Sequence, residues 1–268
     1  MRHVASIREI WQFREVVKNF VSQDLKVKYR RSFLGFFWSL LNPILHMTVI
    51  TVVFSMMFRF PSMGQYALYV LSGLVPWSFW SASIDGCSLS ILSAEGMIKR
   101  QYFPKIVFPL SVVLQNLVAF LLSLFALLLV LAPFTGFAPT RALLILPLSF
   151  LCLVGVTLGA GLVAAVVTVY FRDMKHLISV FLSAWFYLTP IIYPLELSGG
   201  GGPVPHEFRH YFKFNPMFAV IQMFHRPIHD GIFPTGPELA TALGSAAAAL
   251  VVGWIVFRRF EDSLIFNL

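Results

Sequence analysis

LKVKYRRSFLGFFWSLLNPILHMTVITVVFSMMF, residues 25–58, decides the fold of this chain, because a dense basic segment gives way within a few residues to a long run without formal charge. From Leu34 to Phe58 the run exceeds the roughly 20 residues that a helix needs to cross a hydrocarbon core of about 30 Å. It is expected to span with some tilt. Lys26, Lys28, Arg30 and Arg31 crowd its near end, and Lys and Arg are retained preferentially on the cytoplasmic side of a membrane. The first span therefore starts inside and runs outward.

The rest of the composition follows the same logic. With 268 residues, 58% hydrophobic and only 12% charged, and a mean hydropathy of +0.79, the chain is too apolar for a soluble domain, where charged residues approach about a quarter. The net charge of +8 does not point to nucleic acid, because the basic residues gather at the ends of apolar runs, the pattern of topology and anionic headgroups. Cys87 and Cys152 lie far apart inside apolar runs, with no CxxC and no His-rich ligand spacing around them. No disulfide and no metal site is expected. Met1 to Arg31 is charged and amphipathic and lacks a signal-peptide pattern, so the first span is expected to act as the insertion signal.

Around the first span the remaining segments fall into place. Ile7, Ile10, Trp11, Val17, Phe20 and Val21 recur at helical spacing opposite Arg8, Glu15, Lys18 and Asn19, which predicts an amphipathic helix at the membrane interface or packed on the protein itself. Further spans are expected over residues 66–90, 111–131, 142–171, 177–195 and 239–257. Asp85 is the single formal charge of the second run; it reads as a residue meeting headgroups or a polar cavity. Between the second and third spans, residues 94–105 are too charged to cross and predict a short cytoplasmic surface helix ended near Pro104. Its apolar side chains call for a partner protein. In the fourth run, GVTLGAGLVAA places Gly155, Gly159, Gly161 and Ala165 at spacings that let helices approach closely in lipid.

Residues 196–237 begin with the flexible run Gly199 to Gly202 and continue as HEFRHYFKFNPMFAVIQMFHRPIHDG. That stretch is too apolar for a free loop and too broken for a span, so short helices dipping into the outer leaflet are expected. Placing basic residues on this topology puts 15 of the 20 Lys and Arg inside, in the N-terminal arm, the two inner connections and the tail. The fold class is all-α, with six transmembrane helices, both termini cytoplasmic, and an extracytoplasmic re-entrant region before the last span.

No GxxxxGK[ST] phosphate loop, HExxH, GxSxG or paired intramembrane carboxylates are found, so the chain is expected to be no enzyme and to draw its energy from another chain. LKVKYRRSFLGFFWSLLNPIL, KRQYFPKIVFPLS, YFRDMKH and KFNPMFAV, in this order, resemble the membrane subunit of type-2 ATP-binding-cassette exporters for bacterial surface polysaccharides: O-antigen, capsule and teichoic acid. The resemblance covers nearly the whole chain. It implies a plasma (inner) membrane homodimer joined to two copies of a separate ATP-binding subunit, with ATP and Mg on that partner and no cofactor on this chain. The cargo it implies is a polyprenyl-pyrophosphate-linked glycan.

On that reading Lys28, Arg30 and Arg31 stand at headgroup level to receive the lipid pyrophosphate, Arg by bidentate clamping and Lys as a compact charge. Glu95, Met97, Lys99, Arg100 and Tyr102 are the candidates for coupling to the ATPase. Aromatic rings offer apolar faces to sugar rings, which makes Phe54, Phe58, Tyr66, Tyr69, Tyr187 and Tyr193 the stacking candidates, with Tyr211 and Phe212 beyond them. Two alternatives are a type-2 exporter permease for a drug or lipid, and a membrane-embedded glycosyltransferase or lipid-modifying enzyme. The second would need membrane-facing carboxylates that the chain barely has.

Overall fold

The computed structural model describes residues 11–29, 37–57, 62–135, 137–195 and 204–268, and among these every regular element is helical. In chain order they are α1 (Arg14–Tyr29), α2 (Phe37–Met57), α3 (Met63–Ser93), α4 (Glu95–Ile98), α5 (Val107–Thr135), α6 (Leu146–Tyr170), α7 (Met174–Leu188), α8 (His206–Arg209), α9 (Pro216–His225) and α10 (Gly236–Phe260). Among the described residues four stretches are long and apolar enough to cross a membrane: Met63–Ser93, Val107–Leu129, Arg141–Tyr170 and Gly236–Phe260. Pro43–Ser55 within α2 and Met174–Leu188 are apolar but shorter.

The bundle is organised around α3. Ser62 caps it by accepting the Gln65 N–H at 3.2 Å, and 20 of its 31 residues are buried against α2, α5, α6, α7 and α9. Pro76 is tolerated inside α3 because neighbouring helices cover the backbone that proline leaves unpaired. On the far side of α3, α6 and α10 pack along most of their lengths. A Cβ at Gly159 would collide with the backbone of Ala249 and Leu250, and one at Gly253 with the backbone of Gly159. The small residues of GVTLGAGLVAA thus do what their spacing predicts. Gly155 adds to the α10 face, while Gly161 meets Cys87 of α3.

Three segments differ from the sequence reading. The helix at the N-terminal side runs through the basic segment to Tyr29 and packs on α5. Val17 is buried, Phe13 meets Phe103 at 6.1 Å, and Phe20 meets Phe108 at 5.8 Å, whereas Trp11 is exposed. Ile7 and Ile10 lie outside the described residues.

The surface segment around residues 94–105 is helical for only one turn, Glu95–Ile98. Both Ile98 and Ile106 insert into one apolar cluster with Phe108, Leu162, Val169, Phe257 and Leu264, so the chain must fold back between them. Pro104 disfavours helix at Phe103.

The third difference is α7, which stops at Leu188 rather than continuing to residue 195. Thr189 is extended (φ −111°, ψ 124°), as a residue before proline is pushed to be, and Pro190 has no N–H to carry the ladder on. After the undescribed residues 196–203, which include the glycine run, α9 is buried on nearly every side: Met217, Ala219, Val220, Ile221, Met223 and Phe224 are all buried. Phe224 joins Phe120 and Phe150 in a three-ring cluster.

Candidate functional site

Among the described residues polar groups concentrate at three places on this apolar frame. The largest group gathers where α3 begins, α7 ends, and α9 and α10 meet. Asn215 sits at its centre. Its Oδ1 accepts the Met217 N–H at 3.0 Å, capping α9, and the Trp185 Nε1–H at 3.0 Å. Its Nδ2 donates to Leu188 O at 3.2 Å and Thr189 Oγ1 at 2.9 Å. Two fixed N–H donors on one side and a carbonyl on the other settle which way the amide faces.

Above this amide the irregular backbone after α7 is held by α3. The Tyr66 hydroxyl donates to Ile192 O at 2.5 Å, and the Tyr69 hydroxyl is shared between Tyr193 O at 3.0 Å and Pro190 O at 3.2 Å. Backbone away from a helix is tolerated at membrane depth only when protein covers it, and Thr189, Pro190, Ile191 and Ile192 are all buried.

Tyr69 also stacks on His225 with ring centroids 4.4 Å apart. The Ser72 hydroxyl donates to Tyr69 O at 2.8 Å, which leaves its oxygen to accept the Nδ1–H of His225 at 2.7 Å. His225 is therefore the Nδ1–H tautomer, and its Nε2 is buried with no partner against Gly73, where a Cβ would come within 2.8 Å. With no acceptor for a second ring proton, burial pushes the imidazole pKa down to about 3. Beside it, Arg226 pairs with Glu238 at 2.9 Å. Glu238 in turn accepts the Thr235 N–H at 2.8 Å, closing the capping box that starts α10. Burial works to raise the Asp230 carboxyl, but the His229 hydrogen bond and the charges of His229 and Arg226 prevail and hold it low.

The second place is Asp85, half-buried on α3, whose Oδ1 accepts the Ser179 hydroxyl of α7 at 2.9 Å. The third lies at the Ser93 end of α3. Here Lys99 pairs with Glu95 at 2.6 Å and donates to Leu268 O at 3.1 Å, while Tyr170 and Ser263 share a hydrogen bond at 2.5 Å. Glu95 is held low by the Lys99 hydrogen bond and charge. Lys105 is buried beside the tail; burial lowers its pKa, and Glu261 and Asp262 counteract that.

The five coupling candidates thus share one surface, with Met97, Lys99, Arg100 and Tyr102 exposed and Glu95 half-buried. The stacking candidates do not share one. Tyr66 and Tyr69 lie inside the protein, Phe54 and Tyr193 are half-buried, and Tyr187 stands out at 66% exposure. Tyr211 is exposed and Phe212 half-buried beside Tyr193. Lys28 is on the last turn of α1; Arg30, Arg31 and Phe58 lie outside the described residues. Sequence reasoning missed Asn215, whose signal was its position as an N-cap residue directly before a proline at N1. It also missed the Asp85 partner, Ser179, and His225, for which spacing gave no signal.

The chain matches the profile of the ABC-2 type transporter family over residues 15–226. It is 32% identical over 258 residues to the O-antigen export system permease protein RfbA of Myxococcus xanthus, covering 96% of this chain and 95% of that protein. A second RfbA, from Klebsiella pneumoniae, is 27% identical over 212 residues, 79% of each chain. The polysialic acid transport protein KpsM of Escherichia coli is 22% identical over 246 residues, 91% of this chain and 92% of that protein.

Proposed function

Because the chain belongs to the ABC-2 type transporter family and is a polysaccharide-export permease, we propose that it works as a homodimer moving a polyprenyl-pyrophosphate-linked glycan of the O-antigen, capsule or teichoic-acid class outward across the plasma (inner) membrane. Two copies of an ATP-binding subunit, carrying ATP and Mg, dock on the surface of Glu95, Met97, Lys99, Arg100 and Tyr102. Six spans, counting α2 and α7 with the four long helices, leave both termini cytoplasmic. On this topology the Asn215 cluster is outer and the Lys99 surface inner. Lys28, Arg30 and Arg31 receive the lipid pyrophosphate.

The observation that carries this reading is the near end-to-end kinship with a permease named for O-antigen export. The shape of α7 supports it. At 15 residues the helix covers only about 22 Å at 1.5 Å per residue, short of the core thickness. Yet Ser179, Ser183 and Tyr187 lie a turn apart on its exposed side. Polar groups at that depth fit a wet path between two copies of the chain better than lipid. Exposed Val49, Val52 and Val53 of α2 supply apolar surface for the second copy.

The test is reconstitution of the chain with its ATP-binding partner in proteoliposomes, supplied with a polyprenyl-pyrophosphate-linked O-antigen. ATP-dependent delivery of glycan across the bilayer is expected. Changing Arg30 and Arg31 together to lysine keeps the positive-inside signal but removes bidentate clamping, and should lower delivery about tenfold, the value of one charge-assisted hydrogen bond. A complex that moves a drug or free lipid and leaves the glycan behind would overturn the reading.

A further inference from the structure

The rotation of α7 about its own axis is not set by hydrophobicity. Ile178, Leu182, Trp185 and Phe186 face the core, but Leu177, Val180, Phe181 and Leu188 form an equally apolar stripe that stays 55–67% exposed. Turning the helix by about one residue, roughly 100°, would exchange one stripe for the other at little cost in apolar burial. Something else selects the observed face.

Two polar pins do so, one near each end. Trp185 Nε1–H reaches Asn215 Oδ1 at 3.0 Å while the same amide donates to Leu188 O and Thr189 Oγ1. Near the other end of the helix, Ser179 donates to Asp85 Oδ1 at 2.9 Å, a hydroxyl it also offers to Lys175 O at 3.2 Å. Neither pin survives a turn of about 100°, since both donors would leave their acceptors behind. Ser183 and Tyr187 follow Ser179 at intervals of one turn and are exposed.

We propose that Asn215 and Asp85 are positioning residues that fix the rotation of α7, so that Ser183 and Tyr187, rather than Leu182 and Phe186, line the export path. Taking the open side as a path rests on the export reading, whereas the rotation itself does not depend on the cargo. Asn215 acts through Trp185 and the end of α7, and Asp85 acts through Ser179.

The experiment uses the full chain with its ATP-binding partner in proteoliposomes. Single cysteines are placed at position 183, on the open side, or 182, on the core side, and labelled with a water-soluble maleimide; the native Cys87 and Cys152 are buried. Trp185→Phe keeps an aromatic ring and the α9 cap but removes the pinning N–H, and Asp85→Ala removes the other acceptor.

In the double variant, labelling at 182 should rise about tenfold, because it takes the exposed place of Ser183, while 183 stays accessible, with export reduced by a similar factor, as the loss of such hydrogen bonds allows. Asp85→Asn, which still accepts from Ser179, should keep both the labelling pattern and export. If the double variant does not assemble, Trp185→Phe alone is read, with the same direction of change expected. An unchanged labelling pattern in whichever variant is read overturns the proposal. So does Asp85→Asn abolishing export with the pattern intact, which would make Asp85 a charge that meets the cargo. If the unsubstituted complex delivers no glycan while the double variant still shifts the pattern, the cargo assignment falls and the pins stand.

Discussion

The α6 and α10 pair and the α7 helix are aligned by different physics. In the first, backbone meets backbone at Gly159 and Gly253, so shape alone fixes how the helices sit. In the second, two stripes of the helix are equally apolar and hydrogen bonds to Asn215 and Asp85 choose between them. A contact set by shape resists any added atom, whereas one set by polar pairing can be retuned by single side chains. The first suits a rigid frame and the second a face that single side chains can turn.

The sharpest way to break this contrast is to fill the glycine contact. Gly253→Leu should destabilise the protein by about 3 kcal/mol, the upper range for overpacking, seen as a loss of monodisperse protein on heating in detergent. Gly244→Ala, on the same helix with open space at its Cβ, should be neutral or slightly stabilising. Equal effects at the two glycines would remove the distinction.

A smaller effect is expected from acid at His225. Its folded pKa, about 3, is below the ordinary value of about 6.5, so the unfolded chain takes up a proton first. The contribution is complete above about pH 6.5 and is lost as pH falls toward the folded value, the loss amounting to about 2 kcal/mol at about pH 5. The thermal midpoint in detergent should fall as the pH is lowered from about 7 to about 5, and His225→Gln should flatten that slope. An identical slope in the variant would detach His225 from the frame.

The smallest effect is expected on the open wall. Tyr187→Ala removes a ring that packs little, so thermal stability should hold while delivery in proteoliposomes slows by about threefold, the scale of one aromatic contact. Normal delivery would assign the ring to the interface belt instead.

Much of the frame was legible because hydropathy and glycine spacing act locally. Leu34 to Phe58 announces an apolar helix, and Gly155, Gly159 and Ala165 announce close packing. What escaped depends on long-range pairing. Tyr66 and Tyr69 read as exposed aromatics near a turn, yet their hydroxyls are spent on carbonyls more than a hundred residues away. Pro190 could have ended α7 on paper, since the residue before a proline avoids helix; the continuous apolar run around it hid the signal. Asn215 was readable as a cap, but nothing local tells that its other three bonds reach across to α7 and the turn after it.

The glycine contact also has a consequence for biogenesis. The chain is made from its N-terminus, so α6 enters the bilayer well before α10 exists, and its groove at Gly155 and Gly159 must wait among lipid tails until the last helix arrives. A nascent permease is thus incomplete along one side until α10 is made. Any lesion that delays α10 leaves that groove facing lipid instead of backbone.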